Sequence, residues 1–333
     1  MENENESRQN NFNFLRFVAA SFVIISHSFS LLKYDQIDFL GVLGVTIFFV
    51  ISGYLITQSW VHNPSPSRYL KKRLLRILPA LVFCTFVTMF IIGPLTTSIP
   101  LVQYFSNIHT WSYLKNILLY PLQFTLPGVF EKNISPLLVN HSLWTLPVEF
   151  TAYLLIVLFG ILKILKKHFI TVGLLVLIIA DIYLRRFTFY ATTSFYDFGI
   201  NGIVPYFIYF FIGSALYLLK VKIRFNIVLF ACSLIIFIIA FFFPVFLYGY
   251  FFSVPYIVFS IAFFHKKISL FGKTDPSYGI YLFSMPIQQT FIHFFPIIHP
   301  ITLLLGSYVF SILVAFISWH FIESKFLLLK KHF

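Results

Sequence analysis

An arginine and a histidine lie in one apolar run near the start of the chain. In NFLRFVAASFVIISHS they are Arg16 and His27. In an α-helix this eleven-residue spacing places them about 20° apart on one face and ~16 Å apart along the axis. Titratable side chains in spanning helices are functional hypotheses by default, and an imidazole can take a proton from a reacting hydroxyl. The alternative is that Arg16 snorkels to headgroups while His27 makes an interhelical hydrogen bond.

A carboxylate enters another apolar segment at NHSLWTLPVEFTAY. Glu149 lies one turn into this predicted helix, at the depth predicted for His27. A carboxylate next to a histidine orients the ring and stabilises its protonated form, which makes it a better general base. We therefore predict His27 and Glu149 as the catalytic pair. His141 is a rival base, and Glu149 as a structural ion-pair partner is the alternative for the carboxylate.

A basic cluster precedes the third apolar segment, in RYLKKRLLRILPAL. Such clusters commonly set topology or hold anionic lipid. Arg73 and Arg76 are three residues apart and share a helix face, so they could also bind the phosphates of an anionic cofactor.

The elements that carry these residues must be membrane helices. Of 333 residues, 59% are apolar and 11% charged, whereas soluble domains are roughly 25% charged. Cys84 and Cys232 lie in apolar stretches and predict neither a disulfide nor a metal site. Ten apolar segments are long enough to span a bilayer: 12–32, 39–60, 75–94, 145–163, 168–184, 200–219, 226–245, 247–264, 278–295 and 299–321.

The basic residues orient these segments. With both termini cytoplasmic, nineteen of the twenty-four Lys and Arg fall in inside segments and five outside. This asymmetry obeys the positive-inside rule, so topology explains the net charge of +13 better than nucleic-acid binding does. We predict an all-α integral membrane protein with about ten transmembrane helices. Residues 1–333 are expected to form a single transmembrane domain with no appended soluble domain.

The ninth segment, SYGIYLFSMPIQQT, is polar at its midpoint. Ser284, Gln288 and Gln289 there are polar enough to face a cavity. In the last segment, His320 and Glu323 of SWHFIESKF are predicted to anchor the helix at the cytoplasmic surface.

Taken together, these motifs resemble acyltransferase family 3, membrane proteins that modify bacterial surface glycans. The resemblance runs in order from residue 14 to about 323. Its motifs are the Arg-x10-His spacing, GVTIFFVISGYLI, RLLRILPAL, SLWTLPVEF, FFIGSALYLLK and SYGIYLFSMPI. One departure is Ser284, where many members have His.

The resemblance implies ten spanning helices in the bacterial inner (plasma) membrane, a cytoplasmic acyl-CoA donor and an acceptor sugar hydroxyl at the other side. His27 corresponds to the essential His of the family and Arg16 to the Arg of that motif. Arg73 and Arg76 match the pair thought to engage the donor, and Glu149 matches an acidic position.

The resulting hypothesis is an O-acyltransferase. It would move an acyl group, most simply acetyl from acetyl-CoA, to a surface polysaccharide or its lipid-linked precursor, with membrane lipids around it and no nucleic acid as partner. The alternative is a glycan or lipid transporter or flippase, with the buried charges lining a path. Transporters commonly carry internal repeats, and this sequence shows no clear twofold repeat.

Overall fold

All ten predicted segments contain α-helix in a computed structural model of the chain. The structure describes residues 10–34, 37–186, 194–195, 198–221, 225–264, 266–268, 270–271 and 274–329. Some basic residues that enter the topology prediction lie outside these ranges: Arg8, Lys222, Arg224, Lys273, Lys330 and Lys331.

Helices account for almost all regular structure in the described part of the chain. Two short strands, Ser194–Phe195 and Phe198–Gly199, pair antiparallel. Turns of π-helix at Thr88–Ile92 and Trp319–Glu323 continue α3 and α13. In chain order the α-helices are α1 Phe12–Ser30, α2 Asp38–His62, α3 Pro66–Val87, α4 Gly93–Thr96, α5 Leu101–Ser106, α6 Ile108–Ser112, α7 Thr145–Ile161, α8 Lys167–Arg186, α9 Ile200–Leu218, α10 Ile227–Phe242, α11 Tyr250–Ala262, α12 Ser277–Phe294, α13 Pro300–Ser318 and α14 Ser324–Leu328.

Several helices have the length and composition to cross a membrane. Within the described ranges, five helical stretches meet both criteria: Phe12–Ser30, Asp38–His62, Pro66–Thr96, His141–Ile161 and Pro300–Leu328. Shorter apolar helices cover Gly202–Leu218, Ile227–Phe242 and Leu247–Ala262. The helical fold class is confirmed, and the ten spans and cytoplasmic termini stay predictions.

The chain divides into two compact units. Unit 1 comprises Met1–Arg16, Val45–Ser65 and Glu149–Gly272. Unit 2 comprises Phe17–Gly44, Pro66–Val148 and Lys273–Phe333. The prediction of a single transmembrane domain stays a prediction, and each unit is described by itself.

Glycines set the distance between α2 and α9 in unit 1. A Cβ on Gly53 would lie 1.8 Å from the carbonyl oxygen of Phe210. A Cβ on Gly213 would lie 2.2 Å from that of Val50. Small residues of this kind let membrane helices approach backbone to backbone. The GVTIFFVISGYLI motif therefore packs directly on α9.

A buried asparagine fixes the start of α1 to the end of α11 in unit 1. The Nδ2 atom of Asn11 donates to the carbonyl oxygens of Ile261 at 3.0 Å and Lys266 at 3.2 Å. Its Oδ1 atom accepts from the backbone N–H of Ile268 at 2.7 Å. These bonds pair backbone groups in the last turn of α11 and just beyond its end, where helix partners run out.

A compact segment of short helices follows α3 in unit 2 and has its own apolar core. Tyr104, Tyr113 and Phe130 are fully buried in it, together with Met89 from the π-turn. The hydroxyl of Tyr104 donates to the carbonyl oxygen of Met89 at 2.9 Å. Burial raises the pKa of both tyrosines, so the phenols stay neutral.

Helix α12 is joined to this segment by side-chain bonds. Pro286 has no N–H to offer the carbonyl oxygen of Leu282 one turn earlier. The Nδ2 atom of Asn140 donates to that oxygen instead, at 2.9 Å. Gln289 accepts from Asn133 and donates to the carbonyl oxygen of Ser135 at 2.8 Å. Because Pro286 leaves the carbonyl oxygen of Leu282 without its helix donor, that oxygen can accept from Asn140 and fix the chain just before His141.

Candidate functional site

His27 lies in the last third of α1. The side chain is partly buried, and its Nδ1 atom is fully buried. No hydrogen bond joins the ring to any residue in the described part of the chain. His141, the rival base, also belongs to unit 2 and is close enough to interact electrostatically with His27. The two candidate bases therefore lie in the same unit and within electrostatic reach of each other.

A buried polar stripe on α12 faces the turn of α1 that carries His27. Tyr281, Ser284 and Gln288 recur at helical spacing and are buried. The Nε2 atom of Gln288 donates to the carbonyl oxygen of Ile24 at 2.9 Å and to the hydroxyl of Ser28 at 2.7 Å. These acceptors lie on either side of His27 in the sequence. The Oε1 atom of Gln288 is buried and has no partner among the described residues.

The third wall of this site is the turn of 3-10 helix His141–Trp144. The hydroxyl of Tyr281 donates to the carbonyl oxygen of Ser142 at 2.8 Å, which joins the turn to α12. The Ser142 hydroxyl itself is buried and unpaired within the described ranges. Unpaired polar atoms on α1, α12 and this turn are costly to bury unless a ligand pairs with them. We call His27, His141, Ser142, Ser284 and Gln288 the histidine site.

Ser284 has a local partner. Its hydroxyl donates to the carbonyl oxygen of Tyr281 at 3.1 Å, a bond within the helix. A serine is too weak an acid or base at neutral pH to replace an imidazole without an activating group. The candidate bases at this site are therefore the two histidines.

Glu149 lies at the start of α7 in unit 1, where two hydroxyls donate to it. The Ser52 hydroxyl donates to its Oε1 atom at 2.6 Å, and the Tyr153 hydroxyl donates to the same atom. His27 belongs to unit 2, so its pairing with Glu149 stays a prediction.

Arg16 lies in the second turn of α1 and belongs to unit 1. It is partly buried, and its Nη1 atom donates to Oδ1 of Asn13 at 3.4 Å. Because α1 is one unbroken helix, Arg16 and His27 share it as the spacing predicts.

Arg76 is held by two carboxylates in unit 2. Its Nη2 atom donates to Oδ2 of Asp275 at 2.7 Å, and its Nη1 atom lies 3.7 Å from Oε2 of Glu323. The guanidinium also lies 5.7 Å from the ring centroid of Tyr278 and 6.0 Å from that of Trp319. The arginine thus joins α3 to the start of α12 and to the π-turn after α13.

Further bonds complete this cluster, which we call the Arg76 network. The hydroxyl of Ser277 donates to Oδ1 of Asp275 at 2.5 Å, and that of Ser318 donates to Oε1 of Glu323 at 2.9 Å. Glu323 is 2% exposed. Its anchoring role is therefore inside the protein, not at the surface where the sequence analysis placed it. His320, three residues earlier, is exposed.

Arg73 is differently placed from Arg76. Its guanidinium carbon lies 5.9 Å from the ring centroid of Tyr69. Its Nε atom is buried and has no hydrogen-bond partner in the described part of the chain. A buried, unpaired guanidinium nitrogen is suited to an anionic ligand, because it has already lost its water.

The residues that sequence reasoning missed act as partners of those it found. They are Ser52 and Tyr153 at Glu149 and Asp275 at Arg76. For Gln288 the sequence predicts a residue polar enough to face a cavity, and the structure adds its bonds to the turn of His27. The position of Tyr153 four residues after Glu149 is a local signal that was available. The others depend on packing between distant helices. Among the described residues, no group of three His, Cys, Asp or Glu could hold a metal ion.

Comparison with known proteins identifies the class. A family model described as an acyltransferase domain matches this chain. The match covers residues 9–320. The chain belongs to acyltransferase family 3, and the resemblance noted in the sequence is confirmed.

Two curated relatives match part of the chain. The O-acetyl transferase of Shigella phage Sf6 is 32% identical over 153 residues, which is 44% of this chain and 45% of that protein. Nodulation protein 10 of Rhizobium leguminosarum bv. viciae is 32% identical over 167 residues, 46% of this chain and 44% of that protein. These matches span less than half the length of either relative. No solved structure matches the chain.

Proposed function

We propose that the chain is a membrane O-acyltransferase that moves an acetyl group from acetyl-CoA to a hydroxyl of a surface polysaccharide or its lipid-linked precursor. The observation that carries this proposal is the set of buried, unpaired polar atoms on His27, Ser142 and Gln288. Family membership supports acyl transfer, and the name of the phage relative supports an acetyl group and an oxygen acceptor.

In this proposal His27 is the general base. A hydroxyl is a weak nucleophile at neutral pH, so its proton must leave as its oxygen attacks the thioester carbonyl. The new bond is the ester C–O bond, and the bond that breaks is the C–S bond to coenzyme A. The imidazole takes the hydroxyl proton and returns it to the departing thiolate. Ser142 and Gln288 have the free donor and acceptor to orient the acceptor hydroxyl.

The other site residues receive supporting roles. Arg73 binds the phosphates of the donor through its unpaired Nε atom. Arg16, on the same helix as His27, lines the path of the donor or binds it. Glu149 keeps the role that its residue type predicts, a carboxylate that would orient the His27 ring. Arg76 holds α3, α12 and the C-terminal turn in place, because its charge is already matched by Asp275 and Glu323.

Transfer of label from radiolabelled acetyl-CoA to surface glycan tests the function. Membranes with and without the chain are compared at equal total protein, with several glycan acceptors and acyl donors. We expect label in glycan only when the chain is present, and its release by mild alkali as acetate, because an O-ester is alkali-labile.

A different result would point to transport. If no donor and acceptor combination gives labelled glycan while surface glycan still depends on the chain, the transferase proposal is wrong. The transporter hypothesis then takes its place.

Two adjacent glutamines provide a matched test of the histidine site. Replacing Gln288 by Ala is expected to lower kcat by about 10–100-fold with little change in KM for the donor, because α1 loses the bonds that set the position of His27. Replacing Gln289 by Ala removes bonds to Asn133 and Ser135 and should lower the thermal midpoint instead. Initial rates and thermal scans of both purified variants check this. If both variants lost activity equally, and only in proportion to the loss of folded protein, a positioning role for Gln288 would be contradicted.

A further inference from the structure

An apolar groove runs along α3 in unit 2, apart from the histidine site. It has a volume of about 410 Å³ and every side chain that lines it is apolar. Leu75, Leu78 and Val82 form its wall on α3, and Ile322 and Phe326 form the opposite wall. This volume is within the ~300–1,000 Å³ of small-molecule pockets. The groove is open to its surroundings and is not an enclosed cavity.

The groove lies on helices that could cross a membrane, where the surrounding solvent would be lipid. Pro66–Thr96 and Pro300–Leu328 both have the length and composition to cross a membrane, and each contributes one wall. An open groove lined by apolar side chains in this position fits a hydrocarbon chain and offers no hydrogen-bond partner to a polar ligand.

Exposed basic residues lie close in the sequence to the residues that line the groove. On α3, Arg68 and Lys71 fall on one helical stripe with Leu75, Leu78 and Val82, at spacings of three or four residues. Across the groove, Lys325 adjoins Phe326. All three basic side chains are exposed. A ligand with an apolar chain and an anionic head would match both the groove and its flank.

We propose that this groove binds one acyl chain of an anionic glycerophospholipid, with the headgroup phosphate held by Arg68, Lys71 and Lys325. A bilayer lipid is the occupant that reaches a laterally open groove without leaving the membrane. The cytoplasmic leaflet is rich in anionic lipids, and the basic end of α3 is predicted to lie there. The bound lipid would bridge α3 and the C-terminal turn, the two elements that Arg76 and Glu323 also join. This role is independent of acyl transfer.

The test is lipid retention by the purified full-length chain, measured by native mass spectrometry. Phosphatidylglycerol and phosphatidylcholine with identical acyl chains are added in separate titrations. Each cation near an anionic headgroup contributes about fivefold in affinity. With three cations, we expect the chain to retain a single phosphatidylglycerol molecule about 100-fold more tightly than phosphatidylcholine.

Two variants separate the groove from its charges. Leu78→Trp fills the groove and should abolish retention of the phosphatidylglycerol molecule bound there. Leu313→Trp, at an exposed position of α13, is the matched control and should retain it. The triple variant Arg68→Gln, Lys71→Gln, Lys325→Gln should reduce the headgroup preference to less than fivefold. Thermal scans verify folding, and Leu78→Phe replaces Leu78→Trp if the larger residue prevents folding.

The proposal is overturned by any of three outcomes. Folded groove variants could retain phosphatidylglycerol as wild type does. Phosphatidylcholine could be retained equally by wild type. A long-chain acyl-CoA could occupy the groove in preference to phosphatidylglycerol, which would identify a donor site.

Discussion

Replacing His27 by Asn should lower the rate of acetyl transfer by about 10²–10⁴-fold, the usual contribution of a positioned general base. Asn retains a polar group of similar position but takes up no proton. Because the His27 ring has no hydrogen bond to another described residue, its loss leaves no partner unpaired, and the fold should be unaffected. Initial rates with radiolabelled acetyl-CoA, at equal amounts of folded protein, measure the effect.

Two other histidines provide the controls for this substitution. His320 is exposed, and its Nδ1 atom contacts the carbonyl oxygen of Phe316 one turn earlier, so His320→Asn should leave the rate unchanged. His141→Asn tests the rival base near His27. If His141→Asn abolishes transfer while His27→Asn retains more than a tenth of the rate, the base is His141 and the assignment of His27 is wrong.

Replacing Arg76 by Gln should destabilise the protein strongly. The substitution leaves the Asp275 and Glu323 carboxylates together without their cation. Removing one partner of a buried ion pair costs about 3–5 kcal/mol, and we expect the lower end because the Arg76 side chain is 22% exposed. The yield of monodisperse protein in detergent and the thermal midpoint should both fall. Combining Arg76→Gln with Asp275→Asn should recover part of the loss.

The neighbouring arginine is the matched comparison. Arg73→Gln should keep the wild-type thermal midpoint and raise KM for acetyl-CoA by about 10–100-fold, the value of a hydrogen bond to a charged group. A different pattern would refute the division of roles. If Arg76→Gln folds as wild type and raises KM as much as Arg73→Gln does, both arginines bind the donor.

The helices could be predicted because their signal is local. A run of about 20 apolar residues cannot cover a water-facing surface, and it must pair its backbone groups internally in lipid. For this reason each of the ten segments contains α-helix in the structure, and α1 carries both Arg16 and His27. Five helical stretches of the described residues have the length and composition to cross a membrane. The family follows from motifs that occur in order along the chain.

The partners of the site residues could not be predicted from such local patterns. Ser52 and Glu149 are 97 residues apart, Arg76 and Asp275 are 199 apart, and Gln288 is 264 residues from Ile24. A pattern in one helix does not state which residue of another helix packs beside it. The apolar helices here carry hydrophobic residues around most of their circumference, so periodicity does not identify the buried face.

Arg73 and Arg76 show most clearly which properties follow from the sequence and which depend on the tertiary structure. Their spacing placed both on one helix face and predicted one shared role in binding phosphate. The sequence determined that two cations lie one turn apart at the basic end of α3. Only the tertiary structure decided that Asp275 and Glu323 neutralise Arg76 while the Nε atom of Arg73 stays without a partner among the described residues. The physical reason is that a charge leaves water only where packing brings a counter-charge or a ligand to it.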